Sequence, residues 1–262
     1  MSVPEDLARL KDPEMTASLS KLGLGTAQFG LDQPLGARGR PREAEARDIL
    51  SIAGRSGLTV LDVPRGSASA DTHLRTALPQ PIPFKLTLTA VRPDRGPELV
   101  EAELRAQMVR IGVPVYASDD PVGVARRFKP DLVQAPASLL DQRLLLDGTL
   151  AEIAELGIEV HLRSIFLNGL LFLPPDRAPS HLKAAAGRIS RARRLIAEGK
   201  SDPLQAALGF ALTRPEASAV IVGVTSAAEM TAVVAAAMSP PPDLDWDEMA
   251  LDDPDALAWV AA

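Results

Sequence analysis

The strongest constraint on the fold of this chain is an alternation. Short apolar or β-branched runs at residues 22–29, 59–63, 84–89, 112–116, 131–134, 158–164 and 219–224 are separated by longer stretches with helical periodicity. Parallel strands need a crossover of a dozen or more residues, usually a helix, so this alternation predicts an α/β fold with a parallel sheet. Pro41 opens a helix carrying Ala44, Ile49 and Ile52, and Pro97 opens another with Val100, Leu104, Met108 and Ile111 on one stripe; both prolines stand where a helix start tolerates them. Residues 148–156, 184–198 and 203–213 read as further helices, and residues 226–238 as an Ala-rich helix capped by Ser226. Strand, loop and helix start follow one another there, and the unpaired N–H groups of such a start suit an anion.

The 262 residues fit one unit, because α/β barrels reach about 250 residues as a single domain. With 28 Lys and Arg against 34 Asp and Glu, the formal charge is −6. The densest basic run, residues 191–194, is one helical turn, too little to neutralise a phosphate backbone, so nucleic acid is not expected as a partner. The absence of Cys excludes disulfide and thiolate chemistry and fits a reducing compartment. Acidic Glu5 and Asp6 stand where a signal peptide would be basic, and no apolar stretch approaches the roughly 20 residues of a membrane span. These features predict a cytoplasmic protein without membrane attachment. Three segments are expected: an N-terminal extension over residues 1–19, the main domain over 20–239, and an acidic, Pro- and Asp-rich tail over 240–262. The tail is expected to be largely solvated. Its Trp246 and Trp259, the only Trp in the chain, predict that part of it docks on something apolar, either its own barrel or a partner.

Several motifs fail on inspection. His73, His161 and His181 lie far apart without Cys or an HExxH spacing, so no metal site is expected. Gly199-Lys200-Ser201 ends like a phosphate-binding loop, but Arg194 holds the position that needs glycine. Ser56 lies one residue short of a GxSxG elbow, and Gln28 stands where a dinucleotide fingerprint starting at Gly23 needs its third glycine.

An ordered set of segments remains: residues 21–30 (KLGLGTAQFG), Leu61-Asp62, Lys85, residues 133–141 (VQAPASLLD), residues 163–170 (RSIFLNGL) and residues 220–226 (VIVGVTS). In this order they resemble the aldo-keto reductase family. The resemblance implies a TIM-type (β/α) barrel with a nicotinamide cofactor laid across the C-terminal ends of its strands. In that family a Tyr donates the proton for carbonyl reduction, a Lys held by an Asp lowers its pKa, and a His orients the carbonyl. Asp62 matches the Asp and Lys85 the Lys. The Tyr position is Ser67, too weak an acid. The chain passes from the third helix directly into the run 111–116, which resembles the family's fifth strand. About one βα unit, and the His with it, is therefore expected to be missing.

By the same resemblance, a cofactor would be held by Gly25, Thr26, Gln28, Asp62, Gln134, Arg163, Ser164, Phe166, Asn168, Gly169, Gly223, Val224, Thr225, Ser226 and Glu229. Pro114 replaces the Ser that usually helps to bind the carboxamide. The last loop lacks the basic residue that would neutralise a 2′-phosphate, and Glu229 would repel one, so NAD(H) is expected over NADP(H). A dinucleotide site without its proton donor implies a sensor, whose ligand shifts a conformational equilibrium. These features are similar to a bacterial cell-division regulator of aldo-keto reductase type that lacks the catalytic set, binds NAD(H), and acts on the tubulin-like division ring and a cell-cycle histidine kinase. The end of the chain, Ala261-Ala262, is of the type that AAA+ proteases engage. Two alternatives remain open: an active reductase with Tyr116, the only Tyr, as proton donor, and an interaction module without cofactor.

Overall fold

The computed structural model describes residues 18–29, 40–64, 74, 76–89, 110–172 and 186–251. Seven parallel strands close a barrel in sequence order: β1 (Leu22–Gly25), β2 (Val60–Pro64), β3 (Lys85–Thr89), β4 (Arg110–Pro114), β5 (Leu132–Pro136), β6 (Glu159–Arg163) and β7 (Ala217–Gly223). The seam is made by β1 against β7, from Leu22↔Val220 to Gly25↔Gly223. No gap is left for a loop to fill. Where an eighth strand would lie, β3 pairs directly with β4 through Thr87↔Arg110 and Thr89↔Gly112, so the barrel is shorter by one βα unit.

Small residues let so few strands close. A Cβ on Gly23 would meet Ile221 Cδ1 at 2.6 Å, and one on Gly112 would meet Leu132 Cδ1 at 2.6 Å. Bulky side chains on one strand thus occupy the space left by glycines on its neighbour.

The helices follow from their stripes and caps. In α1 (Glu43–Arg55) the buried residues Ala46, Ile49, Leu50 and Ala53 recur at helical spacing. In α2 (Pro121–Phe128) Asp120 accepts from Gly123 N at 2.9 Å. Two short helices, α3 (Arg143–Leu146) and α4 (Thr149–Glu155), connect β5 to β6. After β6 come α5 (Ala186–Glu198) and α6 (Pro203–Leu212), and Asp202 caps α6 by accepting from Leu204 N at 2.8 Å and Gln205 N at 3.0 Å. Ser226 caps α7 (Ala227–Ala237), accepting from Glu229 N at 3.2 Å.

Several boundaries differ from the sequence reading. Residues 26–29 leave the first strand, and Ala27–Phe29 form a 3₁₀ turn. Arg110 and Ile111, read as the end of a helix, open β4 because they pair with Thr87 and Leu88 of β3, and Ile111 N donates to Asp131 Oδ2 at 2.9 Å. Tyr116 lies in the loop beyond β4. The helix expected after Pro97, Ser67, and the termini at residues 1–17 and 252–262 lie outside the described residues.

Beyond α7 the chain turns back over the barrel's own helices. Trp246 meets Phe210 edge-on at 5.8 Å between ring centroids. The Trp246 carbonyl accepts from Gln142 Nε2 at 2.6 Å, and Leu251 N donates to Leu140 O at 2.8 Å. The apolar surface that receives Trp246 is therefore the chain's own. Among the described residues no helix is long and apolar enough to cross a membrane, and no group of three or more acidic or His residues is placed to hold a metal.

Candidate functional site

The C-terminal ends of the strands form the mouth of the barrel, and every loop from a strand to the next helix converges there. Asp62 sits just inside it, 7% exposed. Its Oδ1 accepts from Gln134 Nε2 on β5 at 2.6 Å and from Thr89 Oγ1 and Thr87 Oγ1 on β3 at 2.5 and 3.3 Å. The bond to Gln134 spans the interior, since β2 and β5 are not neighbours. Burial raises the Asp62 pKa above the ordinary carboxylate value; the donors on Thr89, Gln134 and Thr87, and the charge of Arg163, oppose that rise.

Lys85 is not part of this cluster. It opens β3 at the opposite end of the barrel, beside Val60 and exposed, while Thr87 is the residue in register with Asp62. Side chains two residues apart on a strand share a face but lie roughly 6–7 Å apart. The match of Lys85 to the family's Lys therefore does not bring an ammonium group to Asp62. Pro114 ends β4 beside Gln134, as the sequence order required.

Across the mouth, Arg163 closes β6. Its guanidinium lies over the Tyr116 ring, 4.5 Å from the centroid, and donates to Ser164 Oγ at 3.2 Å and to Val115 O at 3.3 Å. Burial lowers its pKa, while Tyr116, Asp62 and Asp119 pull it upward. Beyond it the chain turns through Ser164 (φ 59°), Leu167 (φ 49°) and Gly169 (φ 90°), all left-handed, so residues 164–169 form a tight curl followed by the 3₁₀ turn Leu167–Phe172. Asn168 lies in this turn. Phe166 packs against Phe172 with ring centroids 5.5 Å apart.

On the β1 and β7 side, Thr26 donates to Asp62 O through both N and Oγ1, each at 2.9 Å. The Gln28 amide lies over Gly223, where a Cβ would collide with it, and Gln28 Oε1 is buried without a hydrogen-bond partner. Gly25 stands beside both Asp62 and Gly223. Val224 is buried in the core. At the start of α7 the N–H groups that suit an anion are already engaged. Thr225 N and Oγ1 donate to Glu229 Oε2 at 2.7 and 3.0 Å, and Ala227 N donates to Glu45 Oε1 at 2.5 Å.

The structure thus gathers Gly25, Thr26, Gln28, Asp62, Gln134, Arg163, Ser164, Gly223, Thr225, Ser226 and Glu229 around one rim. Sequence reasoning missed three participants. Thr87 and Thr89 were detectable, because the period of two puts them on the face of β3 that Lys85 was assigned to. Glu45 gave no signal, since it is 182 residues from the N–H group it meets. His161, set aside as a metal ligand, lies in the barrel wall two residues below Arg163. It is 1% exposed, with Nε2 3.5 Å from Glu159 Oε2 and Nδ1 buried without a partner. Burial lowers its pKa, against the opposing pull of Glu159.

No protein-family model matches the chain, and no curated protein matches its sequence. Among solved structures, the chain is similar to one described as "the putative aldo-keto reductase" from Pseudomonas aeruginosa. The TM-score is 0.52 and the identity 15%, over 83% of this chain and 89% of that one. At that identity the likeness shows a shared fold, an α/β barrel of aldo-keto reductase type.

Proposed function

We propose that this chain binds NAD(H) at the mouth of its barrel and acts as a regulator rather than as a carbonyl reductase. One observation carries the second half of this reading: the Asp62 carboxyl is held by Thr87, Thr89 and Gln134, all neutral, with Lys85 at the other end of β3. A lysine beside that carboxyl is what would tune a proton donor for hydride chemistry. The fit to a dinucleotide is supported by the buried, unpartnered Oε1 of Gln28 over Gly223 and by the left-handed curl at residues 164–169. When bound, the nicotinamide supplies a hydride-transfer couple. Glu45 and Glu229 would face the adenosine end, where their carboxylates accept from ribose hydroxyls and repel a 2′-phosphate. This supports NAD(H) over NADP(H).

For the regulatory role, the support is the likeness in sequence features to the cell-division regulator KidO. By that likeness the partners are the tubulin-like division ring and a cell-cycle histidine kinase, in a bacterial cytoplasm, with turnover through the Ala261-Ala262 end. Bound NAD(H) would act by favouring one of two conformations with different partner affinity.

Titration with NADH, followed by fluorescence and calorimetry, tests the reading. Saturable binding is expected, with weaker binding of NADPH, together with no turnover of an aldehyde panel. The double substitution Glu45→Gln and Glu229→Gln is expected to narrow the NADH to NADPH preference by about tenfold, the loss of roughly 1.4 kcal/mol of repulsion. Absence of any signal at millimolar NADH favours the module without cofactor and overturns the proposal. A second reading has its own observation, since Tyr116 lies beside the Arg163 guanidinium at the mouth. If aldehydes are reduced and Tyr116→Phe abolishes the activity, Tyr116 is the proton donor and the chain is a reductase.

A further inference from the structure

We propose that the returning segment over residues 239–251 is a clasp on the mouth of the barrel. It seats in glycine notches on the outer wall and holds the buried loop after β5, so that seat and loop open and close together. This coupling is a property of the fold and holds with or without a dinucleotide at the mouth.

The seat is built from the segment's own alternation. Pro242, Leu244 and Trp246 are half-buried, whereas Asp243, Asp245 and Asp247 are exposed; in an extended chain a period of two puts the two sets on opposite faces. The inward face meets two glycines. Leu244 fills the space where a side chain on Gly199, just beyond α5, would stand. On α6, a Cβ on Gly209 would meet Pro242 Cδ at 2.8 Å and Pro241 Cα at 3.2 Å. Glycine is a poor helix former, and inside α6 it is the close approach of these prolines that requires it. From the same helix, Gln205 Nε2 donates to Pro240 O at 3.1 Å.

Beyond Trp246 the segment passes from the outer wall to the mouth. Met249 and Leu251 are buried, and the loop they reach, residues 137–142, is buried throughout. A buried loop has to pair its backbone groups. Within the loop, Ser138 Oγ accepts from Leu140 N at 3.2 Å and Asp141 N at 3.0 Å, Ser138 N donates to Asp141 O at 2.9 Å, and Gln142 Nε2 donates to Leu139 O at 3.0 Å. The remaining pairings come from the segment: Leu251 N donates to Leu140 O at 2.8 Å, and Gln142 Nε2 also donates to Trp246 O at 2.6 Å. Release of the segment leaves the Leu140 carbonyl and one Gln142 N–H unpaired unless the loop opens to water, and this penalty ties the two together. The loop continues β5, whose Gln134 holds Asp62, and Ala137 N donates to Arg163 O at 3.1 Å. A change of shape at the mouth is therefore felt at α6, and by linkage the reverse holds.

Hydrogen exchange of the full chain, read amide by amide, tests the coupling together with acrylamide quenching of Trp246 in a Trp259→Phe background. Gly209→Ala improves the intrinsic helix propensity of α6 while crowding the prolines. It is expected to raise Trp246 quenching and to speed exchange at Leu140, Asp141 and Leu251 by about tenfold or more, with β1 and β7 amides unchanged. Leu244→Ala, which empties the Gly199 notch, is expected to act in the same direction and keeps the test valid if Gly209→Ala fails to fold. From the mouth side, Gln142→Met removes the donor at nearly constant size and is expected to raise Trp246 quenching. Release of Trp246 with unchanged exchange in residues 137–142 overturns the proposal. So does exchange that speeds only as much as in β1 and β7, because loop and segment would then open only with the whole barrel. Unchanged quenching in both outer-wall variants shows that the notches do not seat the segment, and unchanged quenching in Gln142→Met shows that the mouth is not felt there; either result also overturns it.

Discussion

Asp62 and His161 are both buried in the barrel, yet burial moves their protons in opposite directions. Asp62 is held above its ordinary value of 3.8, so the folded chain binds that proton more tightly than the unfolded one. Its contribution to stability is largest in acid and declines as pH rises from about 3.8 through the folded value. His161 is held below 6.5; the unfolded chain binds its proton more tightly, and stability declines as pH falls from about 6.5 through the folded value. Asp62→Asn should therefore stabilise the protein at pH 8 relative to its effect at pH 4. His161→Leu should flatten the slope of stability against pH below 6.5. Urea unfolding midpoints from pH 4 to 8 check both; parallel curves for wild type and variants would show that neither group titrates as its burial implies. At this scale the sequence was legible where a residue's role is local. Asp62 was found through the family resemblance carried by Leu61-Asp62, whereas its partners come from two other strands, and only the register between strands shows that they meet it.

Glycine spacing within the strands governs how the elements meet. Gly23 lies beside Ile221 across the seam and beside Val60 of β2 on its other flank. Gly23→Ala should cost about 1–3 kcal/mol through overpacking. Because the nearest clash is with Ile221 Cδ1, Ile221→Val in the same chain should recover part of that loss. Denaturant unfolding of the two single variants and the double variant measures the coupling, and strict additivity would show that the clash is not the cause. The strand positions were legible because apolar runs bounded by turn residues report burial on both faces of a parallel sheet. Which end of β3 lies beside Asp62 was not: a resemblance aligns residues, but the register between β2 and β3 decides that Thr87, not Lys85, stands opposite.

For the whole molecule, closure and the returning C-terminal stretch act together. Residues beyond α7 hold Trp246 against Phe210, Gln142 to the Trp246 carbonyl, and Glu248 to Arg191 at 3.0 Å. The exposed ion pair adds little, so the aromatic contact should carry most of the attachment. Trp246→Ala should destabilise the fold by about 1–3 kcal/mol, below the range for a fully buried aromatic because Trp246 is half-buried. Limited proteolysis should then cut within residues 240–251 faster than in wild type; an unchanged cleavage rate would mean that other contacts seat the segment. Taken alone, the amino-acid sequence determined the α/β class and the seven strands, because periodicity and turn residues are local consequences of burial; the missing βα unit and the role of Asp62 came from the resemblance to a family. Tertiary structure decided that seven strands close the barrel, that Lys85 stands at the opposite end of the barrel from Asp62, that Glu45 reaches the start of α7, and that the Arg163 guanidinium lies over the Tyr116 ring. Each of these depends on register or packing between segments far apart in the chain, and such distances enter the energy only after the barrel has closed.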